Sequence, residues 1–141
     1  MNEQRLNISF EADFKNVDTA RTTIMDRCRD FFNESGVESI IDDFCLAATE
    51  AMNNAVEHSG AKQIEVELLL NNKLALLRII TEGKKFDPTQ GVSMPDFDND
   101  GDLPEGGFGM AIISRLVDNM DYEYISGKNV LTLKKELSNK G

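Results

Sequence analysis

The chain has 141 residues, 40% of them apolar and 28% charged, with a formal net charge of −10. That length suits one domain with a real core, and an apolar fraction of this size argues against disorder despite the acidity. The acid excess weighs against nonspecific nucleic-acid or anionic-membrane binding, no stretch approaches a bilayer span, and MNEQRLNISF lacks a signal-peptide pattern, so a soluble, cytoplasmic, single-domain protein over 1–141 is expected.

Leu6, Ile8 and Phe10 alternate with Asn7, Ser9 and Glu11, the period-two pattern of a strand with one buried face. Asn16 and Asp18 offer helix-start chemistry, and Val17, Ala20, Ile24, Cys28 and Phe31 recur at helical spacing until Asn33 to Gly36 supply a stop. A second helix begins near Glu38, its apolar stripe running through Ile41, Phe44, Cys45, Ala48, Met52, Ala55 and Val56 to a stop at Ser59-Gly60. Ile64, Val66, Leu68 and Leu70, the Asn71-Asn72 turn and the apolar run Leu74 to Ile80 then predict a hairpin with a more deeply buried second strand.

Periodicity stops from Glu82 to Gly107, where Pro88, Pro95 and Pro104 fall and glycines concentrate. A structureless segment of that length inside a small domain reads as a lid over about 82–107. Phe108, Ala111, Ile112, Leu116 and Val117 predict a short helix, and Asp121 to Ile125 with Val130 to Leu137 a last hairpin around Ser126-Gly127-Lys128-Asn129. The two hairpins do not fit a regular alternating βαβ pattern, so the expected fold is α+β: a two-layer sandwich with a mostly antiparallel mixed sheet covered on one face by helices. Cys28 and Cys45 sit within apolar helical patterns and read as reduced core residues.

Glu50, Asn54 and His58 are spaced i, i+4, i+8 and form one helix stripe roughly opposite Met52, with Ala47 and Ala51 beside it. By spacing alone this stripe reads as a solvated face. An acid, an amide and a histidine beside small residues also suit a ligand site: a carboxylate can take a hydroxyl proton, and an amide oxygen suits Mg²⁺ held mainly by phosphates. Gly83 opens the aperiodic segment, and Gly106-Gly107-Phe108-Gly109 closes it at a helix start, where backbone N–H groups can approach phosphates. The plain alternative is a loop-to-helix junction with special backbone angles.

EAMNNAVEH (50–58), TEGKKFDP (81–88) and GGFGMAIISRLVD (106–118) resemble, in order, the N, G1 and G2 boxes of the GHKL (Bergerat-fold) ATPases. Within that superfamily the chain is most similar to the small anti-sigma factor serine-protein kinases of bacteria. The resemblance implies a Bergerat-type fold and an ATP site in which Asn54 holds Mg²⁺ and Glu50 is the general base for the acceptor serine. It places His58 at the end of the box, facing phosphates or solvent. Gly106, Gly107, Phe108 and Gly109 would carry the triphosphate, and Gly83 would let the base approach. The implied partners are a sigma factor and an anti-sigma factor antagonist, with a homodimer suggested and no direct contact with nucleic acid or membrane.

Two positions depart from the family pattern. Thr81 stands where an Asp usually accepts from the adenine amino group, and Lys85 stands where a second glycine is usual. Thr81 is neutral, and Lys85 can reach a phosphate or remain a solvated loop residue. Losing a charge-assisted acceptor there would cost roughly 1.5–3 kcal/mol, about ten- to a hundredfold in affinity. These departures favour the alternative of a degenerate GHKL-fold module that binds a partner with weak or no ATP use. A two-component histidine kinase is disfavoured, since the single histidine, His58, lies inside the N box. The run Asp96 to Asp102 begins like an EF-hand loop, but its twelfth position is Gly107 where a bidentate Glu is required, so it reads as solvated lid.

Overall fold

The computed structural model describes residues 3–33, 36–89 and 108–136. The chain runs β1 (Glu3–Glu11), α1 (Phe14–Phe31), α2 (Glu38–His58), β2 (Gln63–Asn71), β3 (Leu74–Glu82), α3 (Phe108–Leu116), β4 (Asn119–Ile125) and β5 (Lys128–Glu136). The strands form a five-stranded sheet in the order β1-β2-β3-β5-β4. Every pairing in it is antiparallel, so the mixed character expected from the sequence is absent among the described residues. β3 and β4 do run parallel, but β5 lies between them, and α3 belongs to the crossover that joins them.

α1 begins earlier than Asn16 and Asp18 suggest. Asp13, in extended backbone, accepts the Lys15 N–H through its carboxylate at 2.9 Å and so caps the helix. Asn16 instead reaches back to the Glu11 carbonyl at 2.9 Å, tying the helix to the end of β1. α2 matches its expected span, and the chain leaves it through Ser59 and Gly60, the latter at φ 74°. At the β2–β3 turn, Asn71 Oδ1 accepts the N–H groups of Lys73 and Leu74 at 2.8 and 3.0 Å, the local closure that makes asparagine a turn residue.

The last hairpin is tighter than its sequence suggests. Ser126 and Gly127 both have positive φ, 52° and 77°, and these two residues complete the turn. Two consecutive positive-φ residues match the twist of the flanking strands, as in a type I′ turn. Lys128 and Asn129 therefore belong to β5, paired with Ile125 and Tyr124 on one side and Glu82 and Thr81 on the other.

One sheet face is covered by helices. Ile64, Val66, Leu68, Leu70, Ala75, Leu77, Ile79, Leu131 and Leu133 point into it and meet Val17 and Ile24 of α1, Ile41, Phe44 and Met52 of α2, and Ile113 of α3. Alternation along β2 fixes this register, because a one-residue slip would place Glu65 and Glu67 in the core. Cys28 and Cys45 are buried free thiols within the same core. The hydrogen bond to Cys45, reinforced by burial, pushes the Cys28 thiol well above the ordinary range and keeps it protonated. Among the described residues no helix is long and apolar enough to cross a membrane.

Candidate functional site

A slot opens between the C-terminal half of α2, the ends of β3 and β5, and the loop after β3. It is lined by Ala51, Asn54 and Ala55 of α2, Ile79 and Thr81 of β3, Phe86 and Pro88 of the loop, Tyr122 of β4, and Asn129 and Leu131 of β5. Its free space is about 20 Å³, room for about one water. That is far less space than a planar base fills, so the slot as it stands does not hold one.

Asn54 supplies the clearest chemical signal. Its Oδ1 is buried and has no hydrogen-bond partner among the described residues. Native interiors rarely leave a buried acceptor unmatched, since doing so costs about 1–3 kcal/mol, and such an atom calls for a ligand. An amide oxygen with no proton donor beside it among the described residues fits a hard cation such as Mg²⁺, so those residues are compatible with that ion. Glu50 lies one turn earlier on α2 and is half-buried, whereas His58, one turn later, is exposed. The His58 ring centroid is 6.4 Å from that of Phe86, and its Nε2 is 3.7 Å from Glu57 Oε1. Neither Glu50 nor His58 lines the slot itself. Ala47 is fully buried, while Ala51 forms part of the slot wall.

The G1-like segment is placed residue by residue. Thr81 is 4% exposed at the end of β3 and lines the slot. Gly83 has φ 145°, and a Cβ there would meet nothing within 4 Å among the described residues, so its visible requirement is backbone conformation. Lys85 is exposed. Asp87 Oδ1 accepts the Thr89 N–H and hydroxyl at 2.8 and 2.6 Å, closing a small turn around Pro88. Phe108 and Gly109 are the first residues of α3. Gly106, Gly107, the run Asp96 to Asp102 and the greater part of the expected lid lie outside the described residues.

Sequence reading missed Asn129, which is 4% exposed and central to the slot's outer wall. It accepts from the Phe86 N–H at 2.7 Å and from the Tyr122 hydroxyl, and it donates to the carbonyls of Lys84 at 3.0 Å and Thr81 at 3.5 Å. Beside it the Tyr124 hydroxyl donates to the Gly83 carbonyl at 2.8 Å, and the Gly83 N–H donates to the Gly127 carbonyl at 3.0 Å. Burial pushes the Tyr122 phenol above its ordinary value; a hydrogen bond from the Phe86 backbone pulls the other way, and Asp87 and Tyr124 add to the rise. Tyr122 is consequently a proton donor throughout the neutral range. Stepping back in twos from Leu133 and Leu131 reaches Asn129, a polar residue on an apolar face, which was the available signal.

The family model described as a histidine kinase-like ATPase domain matches residues 10–135. A serine/threonine-protein kinase, BtrW, from Bordetella bronchiseptica is 32% identical over 92 residues, covering 62% of this chain and 65% of the kinase. The chain thus aligns with slightly less than two thirds of that relative's length. The crystal structure of the RsbU and RsbW domains of a protein from Mycobacterium tuberculosis superposes with a TM-score of 0.64 at 23% identity. That likeness covers 98% of this chain and 34% of the mycobacterial one, and it establishes a shared fold.

Proposed function

The chain belongs to the histidine kinase-like ATPase domain family, and from that premise we propose that it is an ATP-dependent protein-serine kinase and anti-sigma factor. Its substrate on this reading is an anti-sigma factor antagonist, phosphorylated on serine, and its second partner is a sigma factor. The observation that carries the reading is the Asn54 Oδ1, buried and without a partner among the described residues, at the edge of a slot walled by the N-box-like helix and the G1-like loop. The similarity to a serine/threonine-protein kinase supports the choice of acceptor chemistry.

Asn54 would hold Mg²⁺, which when bound supplies charge neutralisation across the phosphate oxygens. Thr81, Phe86 and Pro88 would enclose the base, and the first turn of α3 at Phe108 and Gly109 would offer backbone N–H donors to phosphate. Glu50, half-buried one turn from Asn54, would accept the proton of the serine hydroxyl as its oxygen bonds to the γ-phosphorus and the bond to the bridging oxygen breaks, releasing ADP. His58 and Lys85, both exposed beside this region, would contribute positive charge or hydrogen bonds to the phosphates. Phosphoryl transfer relies mainly on positioning and charge, and a site with one carboxylate, one amide and a helix terminus suits that demand. The resemblance also implies a homodimer; the sheet face away from the helices, with half-buried Leu69, Leu74, Leu76 and Ile80, supports it.

The test is transfer of labelled γ-phosphate from Mg-ATP to serine of an antagonist protein. Glu50→Ala is expected to bind nucleotide as the wild type does and to lose about 100-fold or more in transfer rate. Transfer at the wild-type rate would remove Glu50 from the role of base. A second reading, a partner-binding module with weak or no ATP use, is favoured by the neutral Thr81 in the slot. It would be adopted if millimolar Mg-ATP left the protein unliganded.

A further inference from the structure

We infer that Asn129 is a positioning residue for the nucleotide base: its amide sets the backbone path of residues 81–86 and so fixes the outer wall of the slot. This rests on the reading of the slot as a nucleotide site. A carboxamide has two acceptor and two donor positions, and here all four are used. Oδ1 receives the Phe86 N–H and the Tyr122 hydroxyl, while Nδ2 faces the carbonyls of Lys84 and Thr81. The orientation of the amide is forced, because a backbone N–H can only donate and a carbonyl can only accept.

Three of those four partners belong to the segment that carries Thr81 and Phe86 into the slot. Residues 82–85 are exposed, so little apolar packing holds the segment in place. Its restraint comes instead from the β4–β5 hairpin, through Asn129 on the inner side and through Tyr124 and Gly127 at Gly83. Asn129 anchors the backbone at the Phe86 N–H, and none of its four bonds goes to the Phe86 side chain or to residues 87–89. Holding a wall in place before the ligand arrives reduces the ordering cost of binding. Of the side chains in this network only Asn129 reaches both ends of the loop.

No other residue type reproduces the arrangement. Aspartate at position 129 would keep the two acceptor bonds but set a carboxylate against two carbonyls, and leucine would fill the space with no polar contact. The experiment compares Asn129→Asp, Asn129→Leu and the wild type by calorimetric titration with Mg-ATP and with Mg-tripolyphosphate, which lacks the base. Mg-ATP affinity is expected to fall at least tenfold in both variants while tripolyphosphate affinity stays within twofold. Equal losses for the two ligands, or an unchanged Mg-ATP affinity, would overturn the assignment.

Amide exchange of Phe86, measured without nucleotide, separates this inference from the reading beneath it. Protection in the wild type with at least tenfold faster exchange in Asn129→Leu supports the anchoring whether or not ATP binds. Rapid exchange in the wild type contradicts it. Should both Asn129 variants fail to fold, Tyr124→Phe removes one exposed tether. It is expected to speed Gly83 and Phe86 exchange severalfold and weaken Mg-ATP selectively, and no change in either would also overturn the proposal.

Discussion

Asn54 and Tyr122 show how single side chains at the slot carry opposite burdens. The Asn54 Oδ1, buried and without a partner among the described residues, costs stability unless a ligand meets it, and the proposed ligand is a cation. Asn54→Ala is therefore expected to leave the thermal midpoint of the ligand-free protein unchanged or slightly raised, while abolishing the Mg²⁺-dependent part of ATP binding. A marked fall in the ligand-free midpoint would show that the amide is structural instead. Tyr122 donates to Asn129, and its phenol is raised above the ordinary value of 10.0 chiefly by burial. A group with a raised folded-state value contributes stability that is complete below the unfolded value and is lost as pH climbs through the folded one. The wild type should thus exceed Tyr122→Phe in midpoint between pH 7 and 9, and the difference should shrink above pH 10. Parallel curves up to pH 11 would contradict the bond's contribution.

At the scale of elements, the sheet and helices follow from periodicity and punctuation, and the departures from expectation have local causes. The stripe Ile41 to Ala55 located α2 because burial on one side of a helix repeats every three or four residues. The β2 alternation of Ile64, Val66, Leu68 and Leu70 located a strand and its inward face. Asn16 and Asp18 are capable caps by residue type, but backbone geometry shows that the extended Asp13 caps α1 while Asn16 turns back to Glu11. Ser-Gly-Lys-Asn is turn-like in composition, which draws Asn129 into the expected turn. The turn needs only Ser126 and Gly127, so the asparagine enters the strand and faces inward. Box order points to Asn54 and Thr81, which line the slot, and to Glu50, which does not, whereas the Tyr122–Asn129–Phe86 network depends on cross-strand register that no short motif encodes. The same register sets the weight of core positions: Leu133, fully buried opposite Leu77, should cost about 2–5 kcal/mol when changed to Ala. Leu46→Ala, at a site 48% exposed, should stay within about 0.5 kcal/mol by denaturant titration. Comparable losses at the two sites would contradict the placement of the core.

Across the whole molecule, an acidic chain of net charge −10 is proposed to bind a polyanion. On the proposed function, bare ATP would meet a repulsive field, and the Mg²⁺ complex would reduce that repulsion while offering Asn54 Oδ1 a partner. ATP in EDTA should accordingly bind at least tenfold more weakly than Mg-ATP, and added salt should narrow the gap by screening. A ligand that binds only the folded state at a hundred times its Kd adds about 2.7 kcal/mol, which moves the midpoint of a domain of this size by several degrees. The most direct measurement is the thermal unfolding midpoint of the full chain with millimolar Mg-ATP, alongside Mg-GTP and ATP in EDTA. The account predicts a rise of several degrees with Mg-ATP, a smaller one with Mg-GTP and little with ATP in EDTA; an unmoved midpoint in all three would contradict the nucleotide site at its root.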